Sequence, residues 1–218
     1  MTAEEMLDQI AAEVRSCTKC PLHQGTRNAV PGTGTPQAEV MLIGEAPGFH
    51  EDRQGQPFVG PAGSFLNELL ALAGLQRSEV FITNVVKHRP PENRDPLPEE
   101  IGVCAEYLTR QIAAINPKVI VTLGRHSMAR FFPDGKISKI HGQARVIDGR
   151  VVVPMYHPAA ALHQQVYRQP LLDDFRVAVP AALQQARQLA AQGKGAKASP
   201  QTDDQTSEDE PPQQLSLF

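Results

Sequence analysis

Apolar residues recur along this chain in two distinct patterns. Leu7, Ile10, Ala11 and Val14 share one face of a helix spanning Thr2 to Ser16, with Thr2 placed to cap it and Glu5 three residues on to complete a capping box. Glu39–Ile43, Val80–Val86 and Lys118–Leu123 are instead short, unbroken apolar runs, as expected of strands buried on both faces. Helical spacing returns over Pro61–Gly74, where Phe65, Leu66, Leu69, Leu70 and Leu72 face inward, and again over Glu99–Ile115 and Arg125–Phe132. Leu171–Gln192 is the last helix, kinked or divided at Pro180. Arg145–Pro154 reads as a hairpin turning at Asp148-Gly149. His23–Gln37 and Gly44–Gly60 are rich in Gly and Pro and read as loops.

Strands that alternate with helices predict an α/β fold, a three-layer α/β/α sandwich around a mostly parallel central sheet. Its working residues belong on loops at the carboxyl ends of strands, where Gly44-Glu45, Asn84 and Met155-Tyr156-His157 all fall.

Composition narrows the class. The 218 residues are 41% hydrophobic and 21% charged, and no stretch approaches the ~18 consecutive apolar residues of a membrane span. The acidic start lacks an export pattern, and three cysteines form no disulfide framework, so a reducing, cytoplasmic location without a membrane is expected. From Ala191 onward Asp203, Asp204, Glu208, Asp209 and Glu210 outnumber Lys194 and Lys197 by the whole net charge of −3, leaving residues 1–190 balanced. A neutral body does not coat nucleic acid nonspecifically, so any phosphate contacts are local. Residues 1–190 are therefore expected to form one catalytic domain, 191–213 a disordered acidic linker and 214–218 a separate apolar peptide. No unclaimed apolar stripe remains, and a monomer is expected.

Five features carry chemistry. Glycines around Gly44-Glu45-Ala46-Pro47-Gly48 allow close approach of backbone to a ligand, although any glycine-rich βα loop would look the same. Within that segment Glu45 and Glu51 offer carboxylates for general-base work or cation stabilisation, and Phe58 offers a stacking face in a loop where a core aromatic has little reason to sit. Asn84, polar at the end of an apolar strand, is either a turn residue or an amide matched to a nucleobase edge. His157 follows a strand and precedes a rigid Pro in a small-residue loop, which suits a presented side chain. Cys17, Cys20 and Cys104 are one thiol short of a four-cysteine metal site; His88 would complete it, and buried structural thiols are the alternative. Finally, Gln214-Leu215-Ser216-Leu217-Phe218 places apolar anchors after an acidic tether, as a segment that docks in a partner's groove would.

The stretches GEAPGxxEDxxGxPFVGxAG (Gly44–Gly63), TNVVKxRPPxNRDP (Thr83–Pro96) and HPAAxL (His157–Leu162), taken in this order, resemble the family 4, iron–sulfur uracil-DNA glycosylases. The resemblance implies a hydrolase of DNA base-excision repair that releases uracil and leaves an abasic site. It implies that Phe58 stacks on the flipped uracil, that Asn84 bonds its N3 and O4 edge, and that His157 donates to O2. Gly44 borders the same base; Glu45, with Glu51, works at the sugar side. The loop Pro158–Leu162 enters the minor groove, and Arg89, Arg94, Lys139 and Arg168 are candidate phosphate contacts. The family places Cys where this chain has His88, so the expected cofactor is a [4Fe–4S] cluster on Cys17, Cys20, His88 and Cys104, with zinc as the alternative occupant. The terminal Gln214, Leu215, Leu217 and Phe218 resemble the pentapeptide with which bacterial repair proteins bind the sliding clamp, which would bring the protein to the nucleoid. Two further readings stand beside the enzyme: a covalent or non-turnover uracil-DNA binding protein of the same superfamily, and a generic nucleotide-binding or redox-sensing α/β protein.

Overall fold

The computed structural model describes residues 1–195, the last three by backbone alone. In chain order its elements are α1 (Ala3–Arg15), β1 (Thr33–Gly34), β2 (Val40–Gly44), α2 (Phe49–Gln54), α3 (Pro61–Leu72), β3 (Val80–Asn84), α4 (Pro98–Ile115), β4 (Val119–Leu123), α5 (Arg125–Ala129), α6 (Ile137–Ile140), β5 (Arg145–Ile147), β6 (Arg150–Met155), α7 (Pro158–His163) and α8 (Arg168–Gly195). The strands form one six-stranded sheet in the order β1-β3-β2-β4-β6-β5. The central four are parallel, and the short edge strands β1 and β5 are antiparallel to their neighbours.

Both faces of the sheet are covered, which is why its strands read as unbroken apolar runs. Leu42, Ile82, Val121 and Val153 face one layer, against Phe65, Leu66 and Leu69 of α3 and Leu171, Phe175 and Val179 of α8. Met41, Ile43, Phe81, Ile120 and Val152 face the other, against Ile10 and Val14 of α1 and Tyr107 and Leu108 of α4. The three-layer α/β/α sandwich expected from the pattern is the fold found. The capping box on α1 is present: the Thr2 hydroxyl accepts from the Glu5 amide at 3.2 Å, and the Thr2 amide donates to Glu5 Oε2 at 2.7 Å. The β5–β6 turn is at Asp148-Gly149, whose φ angles of 49° and 76° suit a tight hairpin.

Several segments differ from the sequence pattern. The stretch Gly44–Gly60 is not all loop but contains α2, stopped by Gly55 in the left-handed region at φ 69°. His157–Leu162 is not a loop either. Pro158 sits at the first position of α7, where its missing N–H costs nothing, and His157 caps the helix. The last helix begins at Arg168, accommodates Pro180 without ending, and continues to Gly195, beyond the residue-190 boundary read from composition. The remainder of the 191–213 linker and the peptide 214–218 lie outside the described residues. Among the described residues no helix is long and apolar enough to cross a membrane.

Candidate active site

Parallel pairing of β2 with β3 puts Gly44 directly beside Asn84 at the carboxyl edge of the sheet. The next strand to contribute, β6, delivers His157 two residues past its end. Loops from these three strands meet around a cleft of about 420 Å³ lined by Glu45, Glu51, Phe58, Asn84 and His157. Five side chains singled out along 113 positions of sequence thus share one cavity, from Glu45 to His157.

Asn84 is 1% exposed, and its Oδ1 has no hydrogen-bond partner among the described residues. A buried carbonyl acceptor left empty costs free energy, on the order of 1–3 kcal/mol, unless a ligand supplies the donor. Its main chain is held from below: Lys87 Nζ donates to the Asn84 carbonyl at 2.8 Å, to Thr83 Oγ1 at 2.7 Å and to Gln111 Oε1 at 2.8 Å. Gln111 and Thr83 in turn donate to the Pro31 carbonyl. Burial pushes the Lys87 ammonium down to about 7.

Phe58 is 6% exposed and belongs to the core, which corrects the expectation of a loop aromatic without packing partners. Its φ of 52° is unusual for a bulky residue, and Gly63 permits it: a β-carbon on Gly63 would lie 1.9 Å from the Phe58 carbonyl oxygen. The Phe58 ring lies 5.7 Å from the His157 ring, with their planes 24° apart. His157 Nδ1 accepts the Ala159 amide at 3.1 Å, which places the proton of the neutral ring on Nε2. Burial lowers the imidazole below its ordinary value, opposed by the Glu45 and Glu51 carboxylates, and so favours the neutral form.

The two glutamates differ. Glu45 Oε1 accepts the His126 amide at 3.1 Å, and its carboxylate fills the space that a β-carbon on Gly124 would need, 2.3 Å away. Glu51 spends both oxygens on backbone: Oε2 accepts from Gly48 at 3.1 Å, and Oε1 from Val59 at 2.9 Å and Gly60 at 3.0 Å. Its lone pairs are engaged in folding the loop that presents Phe58, which corrects its reading as a free acid or base.

Residues 31–176 match the family model of the uracil DNA glycosylase superfamily. Type-4 uracil-DNA glycosylases are similar over most of their length. That of Sulfurisphaera tokodaii is 50% identical over 182 residues, covering 79% of this chain and 83% of the relative. That of Archaeoglobus fulgidus is 46% identical over 181 residues, covering 79% and 91%. That of Thermotoga maritima is 43% identical over 183 residues, covering 81% and 95%. The chain belongs to the type-4 uracil-DNA glycosylases.

A second feature of this glycosylase lies on the opposite sheet face, where Cys17, Cys20 and Cys104 join the core cluster formed by α1 and α4. Lys87 and the other two thiols are ionisable neighbours of Cys104, and the Tyr107 hydroxyl lies beside the Cys17 side chain. Burial pushes the Cys20 and Cys104 thiols up; Lys87 opposes this at Cys104. His88 follows Lys87 directly and is 6% exposed; burial and the neighbouring His23 lower its imidazole, opposed by Asp52. Sulfur donors suit a soft metal, but among the described residues no Cys/His set lies at mutual ligand distance, the group that does being Glu45, Asp95 and His126; raised thiols do not fit an exposed redox sensor.

The expected DNA contacts divide. Arg94 grips buried Glu100 through two bonds of 2.7 and 2.9 Å, so its guanidinium is committed to the protein and not free for phosphate. Arg168 lies over the Phe65 ring at 4.4 Å and 3.9 Å from Glu68. Arg89 and Lys139 form no salt bridge among the described residues. Pro158 is buried, whereas Leu162 on α7 is 36% exposed. Sequence reasoning missed Asp95, Arg125 and His126 beside Glu45: donor atoms of Glu45, Asp95 and His126 lie within 4.8 Å of one another, and Arg125 pairs with Asp95. It also missed buried Lys87, whose signal was the row of polar Thr83, Lys87 and Gln111 in apolar segments.

Proposed function

We propose that this chain hydrolyses the N-glycosidic bond of deoxyuridine in DNA, releasing uracil and leaving an abasic site. The unpartnered Asn84 Oδ1 at the floor of the cleft carries this reading. Uracil offers the N3–H that this acceptor lacks and an O4 to receive the amide protons. Cytosine has the reverse pattern at both positions, so a fixed Asn84 discriminates between them. Phe58 supplies an apolar ring against the base, and Gly44 leaves room for both side chains. When the C1′–N1 bond breaks, its electron pair passes to uracil, and negative charge gathers at O2. The neutral His157 Nε2–H donates to that oxygen, and by analogy with an oxyanion-hole donor contributes roughly 3 kcal/mol. Glu45 orients the water that adds to C1′ and takes its proton, while Glu51 positions the Val59–Gly60 turn. Leu162, carried on a helix, enters the minor groove as the base leaves the stack, with Arg89, Lys139 and Arg168 near phosphates.

Cys17, Cys20, Cys104 and His88 would hold a [4Fe–4S] cluster, which when bound ties α1 and α4 to the segment after Asn84. The role is structural, and zinc is the alternative occupant. Gln214, Leu215, Leu217 and Phe218 bind the sliding clamp, raising the local concentration of enzyme at DNA without a new contact in the cleft. Deleting residues 214–218 is expected to abolish clamp pull-down while leaving excision from free oligonucleotides intact.

Single-turnover cleavage of uracil-containing single- and double-stranded DNA, read as alkali-labile abasic sites, tests the whole reading. Release of free uracil with turnover supports it. A denaturant-stable adduct would establish the covalent alternative, and nucleotide affinity without cleavage the generic one.

A further inference from the structure

Phe49 opens α2 immediately after cleft-lining Gly48, yet 47% of it is exposed. Two guanidinium groups flank its ring, Arg89 at 5.2 Å and Arg53 at 5.5 Å from the centroid. Neither arginine forms a salt bridge among the described residues, whereas Arg94, Arg110, Arg125, Arg168, Arg176 and Arg187 all do. Arg89 is fixed from the other wall of the cleft, its Nε donating at 2.7 Å to Asn93 Oδ1, and Asn93 lines the cavity. An aromatic ring left half in water beside two uncompensated cations, at the lip of a base-sized cleft, has the makeup of a stacking platform for single-stranded nucleic acid.

We infer that Phe49, with Arg53 and Arg89, binds the nucleotide next to the extruded uracil, its ring stacking on that base and the guanidinium groups meeting the adjoining phosphates. The inference rests on the glycosylase reading and adds a subsite outside the uracil cleft. It is sequence-tolerant, because every base presents a π face. It also favours substrates whose neighbouring base is free to leave the stack, so single strands gain more from it than paired duplex.

The test uses the full chain and single-stranded oligonucleotides bearing 2′-fluorodeoxyuridine, which resists cleavage, with 2-aminopurine as the 5′ or the 3′ neighbour. Bound to the unaltered protein, one of the two probes is expected to emit less than when bound to Phe49→Ala, and Phe49→Trp is expected to restore the quench. With ordinary deoxyuridine in a single strand, Phe49→Ala is expected to raise KM fivefold or more, with a smaller effect on duplex. Equal emission from both variants at both positions, together with unchanged KM, would overturn the inference. Loss of uracil release by the unaltered protein would instead overturn the glycosylase reading, so the two failures are separable.

Discussion

Gly44 and Asn84 stand side by side in the β2–β3 register, and the volume a β-carbon on Gly44 would occupy is already taken by Asn84 Oδ1, 2.3 Å away. The Phe58 ring closes the same space at 2.7 and 2.8 Å. All three atoms are buried, so none yields cheaply. Gly44→Ala is therefore expected to push both base-contacting side chains out of position. Overpacking costs ~1–3 kcal/mol of stability, and a misplacement near 1 Å costs about 100-fold in rate. Thermal unfolding and single-turnover cleavage measure the two effects; an alanine variant with undiminished cleavage would show that the tight packing around Gly44 is not needed for the chemistry.

Asn84→Leu removes the one cleft-lining side-chain acceptor that is buried and unpartnered among the described residues, while keeping the side chain's approximate size. Lys87 still has the Asn84 main-chain carbonyl to bond, so the floor is expected to stay folded. Cleavage of uracil-DNA is expected to fall about 10²–10³-fold, as when a fixed polar contact to developing charge is lost. The ratio of uracil to cytosine cleavage should fall with it. If the rate drops but the ratio holds, Asn84 positions the backbone and does not read the base.

The fold was legible because Leu42, Val121 and their neighbours are buried on both faces, so the strands announced themselves as apolar runs. The cleft residues were legible because each is a chemically odd residue at a strand end. What stayed hidden is tertiary. Glu51 looks like a spare acid in sequence, since its partners are the backbone amides of Gly48, Val59 and Gly60, which carry no side-chain signal. α2 was masked because its N-cap is Gly48, not Ser or Thr, within a Gly/Pro-rich stretch. Asp95 and His126 are separated by an entire helix and strand and meet Glu45 only through the sheet's parallel order.

His157 gives a pH dependence of known sign. Burial lowers its imidazole from the ordinary 6.5, so the folded protein holds it neutral where the unfolded chain begins to protonate. Its contribution to stability is fully present above 6.5 and is lost as pH falls from there through the folded value. Protonation would also abolish the Nδ1 acceptor for Ala159. Thermal midpoints measured from pH 8 down to pH 5 are expected to decline below about 6.5, with a shallower decline in His157→Asn. Identical slopes for the two proteins would remove His157 as the titrating group.

The fourth ligand position separates iron from zinc and ligation from simple burial. Cys17, Cys20 and Cys104 share a core cluster, with Lys87 close to Cys104, and His88 is the next residue in the chain after Lys87. A neutral imidazole in place of a thiolate leaves one negative charge fewer around a cluster, which raises its reduction potential and makes it easier to strip with acid. His88→Cys is accordingly expected to retain iron and sulfide, to absorb near 400 nm as a [4Fe–4S] protein should, and to lose its colour at lower pH than the unaltered chain. Cys104→Ser is expected to lose iron and, because α1 and α4 pack directly against each other at this point, to unfold at lower temperature. Anaerobic purification with metal analysis decides between the occupants. A colourless protein carrying one zinc would exclude the cluster, and equal acid sensitivity in His88→Cys and the unaltered chain would place His88 outside the ligand set.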